Sequence, residues 1–206
     1  MPKAGSAAPR PRRTQQQRRA EAERRVLDAA LRLVATQGSR KLSIAAVGEE
    51  SGYSRGIVNH HFGTREALIA ALPEAAAARF SMPDAGLTGF ERLVARCLWY
   101  IDGLSNFAPA GQAALLMWAE AAGADPTLRP IFEKRDHTFR GQVAADVQQG
   151  IEEGTIRADA DPDTVAVLVV GQLRGVGLQL MVTPQAATTD SIKRHVELML
   201  SGLRSS

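Results

Sequence analysis

The stretch SIAAVGEESGYSRGIVNHHF, residues 43–62, decides the fold of this 206-residue chain. Ser43 and Ser54 each precede a short segment with apolar residues on one side, where a serine hydroxyl can cap the first helical turn. Ser51 and Gly52 separate the two segments, and glycine is common in such turns. The spacing therefore predicts two helices of about two turns each, joined by a tight turn.

Two short helices joined in this way form the helix-turn-helix pattern, whose second helix enters the major groove of DNA. The adjacent His60 and His61 raise the alternatives of a metal site or a catalytic pair. Neighbouring helical positions lie about 100° apart, whereas two metal ligands on one helix need a spacing of four residues. Ile57, Val58 and Phe62 are predicted to face the core. His61 then packs beside them, and His60 lies on the exposed side.

Apolar residues recur at helical spacing on both sides of this motif. Helices are predicted over residues 18–37, 87–104, 110–122, 126–153, 162–181 and 189–204. A further helix begins after Thr64, and Pro73 is expected to bend or end it. The run VAVLVV at 165–170 could be a buried strand, but helical spacing continues beyond it, and its length favours helix. The chain is therefore predicted to be all-α.

The charge is unevenly distributed along the chain. Residues 1–66 contain 13 Lys and Arg against 6 Asp and Glu, a net charge of +7, whereas residues 67–206 contain 12 against 16, a net charge of −4. A basic first third is typical of a surface that meets a polyanion, and a solvated charged tail is the alternative. Residues 1–17 have almost no large apolar side chain and are predicted to form a flexible basic arm.

Several classes of protein are disfavoured. The single cysteine, Cys97, excludes an internal disulfide framework and a multi-cysteine zinc site, and its neighbours predict that it is buried. The glycine-rich GQLRGVG at 171–177 lacks the Gly-Lys-Ser/Thr ending of a phosphate-binding loop. Serine, histidine and aspartate occur in no nucleophile motif, so neither an enzyme nor a cofactor is expected. Neither a secretory signal nor a membrane span is expected, which predicts a cytoplasmic protein.

Residues 24–72 resemble the DNA-binding domain of the TetR family of bacterial transcriptional repressors. The resemblance rests on the long first helix that ends at Gly38, the turn at Ser51 and Gly52, the His61-Phe62 pair and the segment TREAL at 64–68. Residues 151–180 are similar to a stretch common in the C-terminal domains of the family. The implied architecture is a basic arm at 1–17, a three-helix DNA-binding domain at 18–72 with its helix-turn-helix motif at about 43–62, and a helical effector-binding and dimerisation domain at 73–206.

The resemblance and the helical pattern together indicate which residues meet DNA. The expected contacts are Ser43, Ser54, Arg55, Gly56, Asn59, His60, Thr64 and Arg65, with Arg18 and Arg19 near the arm. Asn59 departs from the family, which usually has a tyrosine that contacts phosphate at this position. Asparagine can read adenine bidentately, so Asn59 is a candidate base contact.

The C-terminal half supplies candidates for two further sites. Small and apolar residues on the last two helices are expected at a homodimer interface, namely Leu168, Gly171, Gly175, Leu180, Val196, Met199 and Leu200. An apolar pocket with a few polar groups is expected from Trp99, Met117, Trp118, Phe132, His137, Phe139 and Arg140.

The sequence thus predicts a homodimeric repressor that binds a palindromic operator in double-stranded DNA. A hydrophobic or aromatic small molecule is expected to release it from the operator. The first alternative is a helix-turn-helix module without an effector pocket, which acts architecturally or through a protein partner. A helical enzyme that uses His60 and His61 is a further alternative, although the sequence offers no partner residues for it.

Overall fold

The computed structural model describes residues 14–79, 86–106, 109–123 and 125–205. Arg12 and Arg13 of the predicted arm lie outside these residues. In the described part of the chain the helices are α1 (Gln15–Gln37), α2 (Ile44–Ser51), α3 (Arg55–Phe62), α4 (Arg65–Ala77), α5 (Gly89–Asn106), α6 (Ala110–Ala122), α7 (Leu128–Glu152), α8 (Pro162–Val182) and α9 (Thr189–Ser201). The only β-pairing there is an isolated bridge between Ile156 and Arg204. The all-α prediction is confirmed.

Helix α1 begins three residues before its predicted start at residue 18. The Thr14 hydroxyl accepts the N–H of Gln17, and the Gln17 side chain accepts the N–H of Thr14 in return. This reciprocal capping box satisfies two backbone donors at the helix start. Residues 15–17 therefore belong to α1 and not to an arm.

Side-chain caps define the three helices that follow. Ser43 accepts the N–H of Ala46 at 3.1 Å, Ser54 that of Ile57 at 3.3 Å, and Thr64 that of Ala67 at 3.1 Å. Each oxygen satisfies a donor that the first helical turn leaves open. These contacts confirm the helix starts predicted from the two serines and the threonine.

Glycine sets the approach of α2 to α3. Gly52 ends α2 in the left-handed conformation, with φ 75°. Gly48 is buried, and a Cβ atom at this position would lie 2.9 Å from the backbone oxygen of Tyr53 and 3.3 Å from the backbone nitrogen of Arg55. Because these atoms belong to the backbone, a larger residue at position 48 would separate the two helices.

The N-terminal helices share a hydrophobic core with α6 and α7. Val26 and Val34 of α1, Val58 of α3 and Leu72 of α4 are fully buried in the same cluster as Met117 of α6. Leu128 and Phe132 of α7 complete this cluster on the far side. The helix-turn-helix region is therefore packed directly on the C-terminal helices.

Helix α4 passes through Pro73 without a break, so the predicted interruption there is wrong. Proline removes one backbone donor from the helix, but Leu72, Pro73 and Ala76 are all buried. Packing of these residues on α1 and α6 holds the helix together. An ion pair between Arg79 and Asp28 of α1 follows the end of the helix.

A second core joins α5, α7, α8 and α9. Cys97 of α5 is buried in it, as predicted, beside Leu93 and Ile101. Gly177 lets α8 approach α6 closely, because a Cβ atom there would lie 2.6 Å from Cδ1 of Leu115. The second core therefore places α8 against both α6 and α7.

Helix α8 has more apolar surface than the subunit covers. By length and composition α8 could cross a membrane. No such segment was expected from the sequence, because its uninterrupted apolar runs are short. Of the most apolar 18-residue stretch of α8, 28% is buried within the subunit. The core helix of a soluble protein has the same length and composition. The surface left uncovered includes Leu168, which is 67% exposed.

Candidate nucleic-acid interface and effector cavity

Helix α3 presents a polar face to solvent. Arg55, Gly56, Asn59 and His60 are all exposed, whereas Val58 is fully buried beneath them. The structure therefore brings these four predicted DNA contacts onto one face. Arginine and asparagine are the side chains that read guanine and adenine edges in the major groove.

Ile57 corrects the expected division of α3 into an inner and an outer side. Its side chain was predicted to face the core but is 39% exposed. Val58 occupies the inward position instead, because adjacent helical residues point about 100° apart. An exposed apolar side chain on this face can contact the methyl group of thymine.

The predicted contacts Ser43, Ser54 and Thr64 are exposed residues at the N-termini of α2, α3 and α4. Each hydroxyl oxygen accepts a backbone N–H, which leaves the hydroxyl proton available to a further acceptor. The start of a helix also favours phosphate, because its N–H groups and dipole point towards the anion.

Arg65 has a structural role that the sequence did not indicate. Its Nε donates to the carbonyl of Leu42 at 2.6 Å, and its Nη2 donates to the carbonyls of Ser39 and Arg40 at 2.8 and 2.9 Å. The guanidinium group thus holds the connection between α1 and α2. These carbonyls hold two of its three nitrogens, and a contact of Arg65 with DNA stays a prediction.

The start of α1 adds positive charge beside the helix-turn-helix motif. Arg18 and Arg19 are exposed in its first turns. Further along α1, the guanidinium of Arg25 lies 5.3 Å from the centre of the Tyr53 ring, in the turn before α3. This contact joins α1 to the start of α3.

Glu120 links α6 to the DNA-binding region. Its Oε1 accepts the backbone N–H of Ser39 at 3.1 Å, and its Oε2 accepts the Ser39 hydroxyl. Ser39 is 2% exposed, so these contacts satisfy two donors that water hardly reaches. The carboxylate ties α6 to the segment that Arg65 also holds.

A cavity of about 1030 Å³ lies between α4, α5, α6, α7 and α8. Among the predicted effector residues, Trp99, Trp118, Phe132 and Phe139 line it. Helix α4 contributes Ala70, Pro73, Glu74 and Ala77 to the same wall. The volume is at the upper end of the range of sites that bind small organic molecules.

Three predicted effector residues lie elsewhere. Met117 is fully buried in the first core, because it points away from its neighbour Trp118 on α6. His137 is exposed on the outside of α7. Arg140 does not line the cavity, and its Nη1 lies 3.9 Å from Oδ2 of Asp136. These assignments are corrected.

An ion-pair network that the sequence did not reveal supports the cavity wall. Both oxygens of Asp136 bind Arg174, at 2.5 and 2.7 Å, and Oδ2 also accepts the indole N–H of Trp118 at 3.0 Å. The Arg174 guanidinium lies 4.6 Å from the centre of the Trp118 ring. The network therefore fixes the orientation of the Trp118 ring and covers one of its faces.

Tyr100 is a further lining residue, outside the seven that were selected from the sequence. Its ring stacks on Phe139, with the ring centres 5.8 Å apart. Burial raises the pKa of Tyr100 to about 12, so the phenol stays protonated at neutral pH and can donate a hydrogen bond. Its spacing of four residues from Arg96 on α5 was the available signal.

Asp146 is a buried carboxylate with two arginine partners. The Nε of Arg92 binds its Oδ1 at 2.5 Å, and the Nε of Arg96 binds its Oδ2 at 2.6 Å. Both arginines also line the cavity. Because one carboxylate faces two guanidinium groups, this part of the wall has an excess of positive charge.

The predicted dimer residues divide into two groups. Leu168, Gly171 and Met199 are exposed, whereas Gly175 and Leu180 are half-buried. Apart from the backbone of α8 itself, a Cβ atom on Gly171 or Gly175 would meet no described atom of the subunit within 4 Å. Val196 and Leu200 instead lie in the second core, since the opposite face of α9 packs on α5. Their assignment to an interface is corrected.

No group of three or more His, Cys, Asp or Glu side chains that could hold a metal ion occurs among the described residues. The rings of His60 and His61 are 5.9 Å apart in an edge-to-face arrangement. His61 is half-buried and contacts Phe62, with ring centres 6.3 Å apart.

Comparison with known proteins agrees with this architecture. Residues 26–72 match the family model of bacterial regulatory proteins of the tetR family, and residues 90–204 match that of the C-terminal region of BetI-type transcriptional repressors. The HTH-type transcriptional regulator UidR of Escherichia coli K12 is 27% identical over 184 residues, which cover 87% of this chain and 91% of UidR.

Solved structures show the same fold. A TetR transcriptional regulator from Chloroflexus aurantiacus has a TM-score of 0.75 at 22% identity and covers 92% of this chain and 99% of its own. A transcriptional regulator from Saccharomonospora viridis in complex with choline has a TM-score of 0.70 at 22% identity, and the match covers 85% of this chain and 93% of that protein. The chain therefore belongs to the TetR family of bacterial transcriptional regulators, with a helix-turn-helix DNA-binding domain at its N-terminus and a C-terminal region of the BetI type.

Proposed function

We propose that this protein is a homodimeric cytoplasmic repressor that binds a palindromic operator through α3 and leaves it when an organic effector fills the cavity. The position of α4 carries the proposal. Only two residues separate the end of α3 from the start of this helix, and its residues Ala70, Pro73 and Glu74 line the cavity. One rigid element thus touches both the recognition helix and the effector.

In the DNA complex, Arg55 and Asn59 read base edges, and Gly56 lets the helix approach the groove closely. Replacement of Arg55 by alanine should weaken operator binding by about 1–3 kcal/mol and relax specificity at one base pair of each half-site. Arg129→Ala, an exposed arginine on α7, is the matched control. The binding site can be selected from random DNA by the purified protein. Equal operator affinity of both variants would contradict this placement of α3.

Basic residues before and within the first turns of α1 supply contacts that do not depend on sequence. Deletion of residues 1–13 should lower the dependence of DNA affinity on salt, by about 0.9 in the log-log slope for each phosphate contact that is lost. Arg18 and Arg19 remain in that variant and would retain their share. An unchanged slope would argue against a role for the preceding residues.

A second copy of the chain is proposed to cover α8 and α9. One short recognition helix reads too few base pairs for useful affinity, so two-fold symmetry of protein and operator is expected. The exposed apolar side chains that support this interface are Val167, Leu168, Val182, Leu198 and Met199.

The dimer is tested by placing a charge in the proposed interface. Leu168→Glu should produce a monomer at micromolar concentration in sedimentation experiments and abolish operator binding, because a buried unpaired carboxylate is costly. Ala145→Glu adds the same charge at an exposed position on α7 and should leave the dimer intact. A wild-type monomer, or a Leu168→Glu dimer, would contradict the proposed interface.

Effector release is proposed to act by a shift in the orientation of α4. A ligand can shift this equilibrium only by the difference between its affinities for the two conformations. Trp118→Ala and Phe139→Ala should therefore weaken the response to an effector while operator affinity without effector stays nearly unchanged. His137→Ala, on the outside of α7, is the control. Wild-type responses in both cavity variants would favour a DNA-binding module without an effector.

A further inference from the structure

The cavity is apolar in its aromatic walls but has an excess of positive charge. Five cationic side chains line it, namely Arg92, Arg96, Lys134, Arg135 and Arg174. Glu74 is the one carboxylate among the described lining residues. When the partners Asp136 and Asp146 behind the wall are also counted, the cations still outnumber the carboxylates by two. An anion is therefore favoured over a cation in this space.

Arg135 is the least compensated arginine of this group. Arg96 and Arg174 contact buried or half-buried carboxylates at 2.5 to 2.6 Å. Arg135 instead contacts Glu74 at 3.4 Å, and that carboxylate is 86% exposed. Burial of the Arg135 side chain lowers its pKa, and the neighbouring Arg174 lowers it further, whereas Glu74 raises it. A bound anion could supply a closer partner.

The aromatic side chains are poorly arranged for a quaternary ammonium ligand. Such a ligand needs free ring faces and no competing cation. The guanidinium of Arg174 already lies over Trp118. The rings of Tyr100 and Phe139 are stacked on each other, with an interplanar angle of 18°. These contacts occupy one face of each of the three rings, which leaves fewer faces for a cationic head group.

From these observations we infer that the effector is an amphipathic organic anion, whose apolar part packs on Trp118 and Phe139 and whose acidic group binds Arg135 in competition with Glu74. This inference rests on the proposed function, which already assigns the cavity to an effector, and adds the chemical class of that effector.

The same contact explains how such an anion would act on α4. Glu74 belongs to α4 and Arg135 to α7, so their ion pair connects these two helices. Helix α4 leads out of the DNA-binding domain, and α7 forms part of the cavity wall. An acidic group on Arg135 displaces Glu74 and repels it. The contact between α4 and α7 is then weakened, and α4 is free to shift with the recognition helix.

The class of ligand can be tested with three probes that share one alkyl chain: decanoate, decanol and protonated decylamine. Their binding to the full-length dimer is measured by calorimetry below the micelle concentration, in wild type, Arg135→Gln, Arg135→Lys and Arg129→Gln. Decanoate should bind wild type about tenfold more tightly than decanol, a difference of about 1.4 kcal/mol. Arg135→Gln should remove this preference without changing the decanol affinity, whereas Arg135→Lys and Arg129→Gln should retain it.

Glu74→Gln provides an independent readout. Removal of the competing carboxylate should raise the decanoate affinity by about two- to fivefold, as expected for an exposed ion pair. A loss of cavity structure would lower this affinity instead, and a lower or equal affinity would contradict the competition.

The outcomes separate this inference from the proposed function. Equal or tighter binding of decanol or decylamine, together with release of operator DNA, would overturn the anionic class and leave the repressor proposal intact. Decanoate binding that is unchanged in Arg135→Gln would also overturn the inference. Binding of none of the three probes would contradict both the effector cavity and the inference that depends on it.

Discussion

Replacement of Glu120 by alanine would remove the contact that ties α6 to the segment before the helix-turn-helix motif. Ser39 would lose the acceptors of both its N–H and its hydroxyl. A hydrogen bond to a charged acceptor contributes about 1.5–3 kcal/mol, and the half-buried position of Glu120 lets water offset part of the loss. We therefore expect the free energy of unfolding to fall by about 2–4 kcal/mol, which for this chain length corresponds to a melting temperature roughly 5–15 °C lower.

Thermal unfolding followed by far-ultraviolet circular dichroism measures this effect. Glu133→Ala removes an exposed carboxylate from α7 and serves as the control. Glu120→Gln should lie between wild type and Glu120→Ala, because its amide oxygen still accepts one of the two donors. Equal melting temperatures for Glu120→Ala and Glu133→Ala would refute the stabilising role assigned to the Ser39 contacts.

Three other predictions concern separate parts of the fold. Gly48→Ala should lower stability by about 1–3 kcal/mol and weaken operator binding, because the added Cβ would lie 2.9 Å from a backbone oxygen. Gly141→Ala is the control, because its added Cβ would meet no described atom within 4 Å apart from the backbone of its own helix. This variant should be neutral or stabilising in the same unfolding assay. Burial raises the pKa of Cys97 to about 12, so iodoacetamide at about pH 8 should alkylate it only after unfolding; rapid labelling of the native protein would contradict this. Hydrogen bonds with the side chain and the backbone N–H of Thr164 lower the pKa of Asp161 below its ordinary 3.8. Its charge therefore stabilises the folded state above that value, and this contribution is lost as the pH falls through the lowered pKa. Urea unfolding should therefore show a wild-type advantage over Asp161→Asn that is constant near neutral pH and shrinks in acid.

Features that depend on a few neighbouring residues were predictable from the sequence. The caps at Ser43, Ser54 and Thr64 each involve a donor three residues away, so local spacing was sufficient. The inner side of α3 was harder to predict. With two helical turns, apolar periodicity does not decide which of Ile57 and Val58 faces the core, and only the packing against α2 and α4 does.

The break expected in α4 shows a different limit. Proline disfavours the interior of a helix locally, but the cost is a few kcal/mol, and tertiary packing can exceed it. Pro73 is buried between two other buried residues of α4, and neither that burial nor the neighbouring cavity can be read from the adjacent sequence.

Most of the aromatic part of the cavity, though not Tyr100, could be predicted because large side chains in a helical domain have few places to pack. Its arginines could not. Arg96, Arg135 and Arg174 resemble surface residues in the sequence, since their carboxylate partners lie 38 to 61 residues away along the chain.

In the proposed dimer region, α8 and α9 carry apolar residues on more than one face. Composition alone could not separate Leu168 from Val196, which point to solvent and to the core.

The core shared by α1, α4 and α6 has a consequence for the construction of chimeric regulators. An exchange of the entire DNA-binding domain at residue 72 would cut through α4 and bring foreign side chains against Ala113 and Met117 of α6. An exchange limited to α2 and α3 would leave those contacts, and the bond between Glu120 and Ser39, unchanged. New operator specificities should therefore be transplanted as residues 43–62, with the host retaining its own α1 and α4.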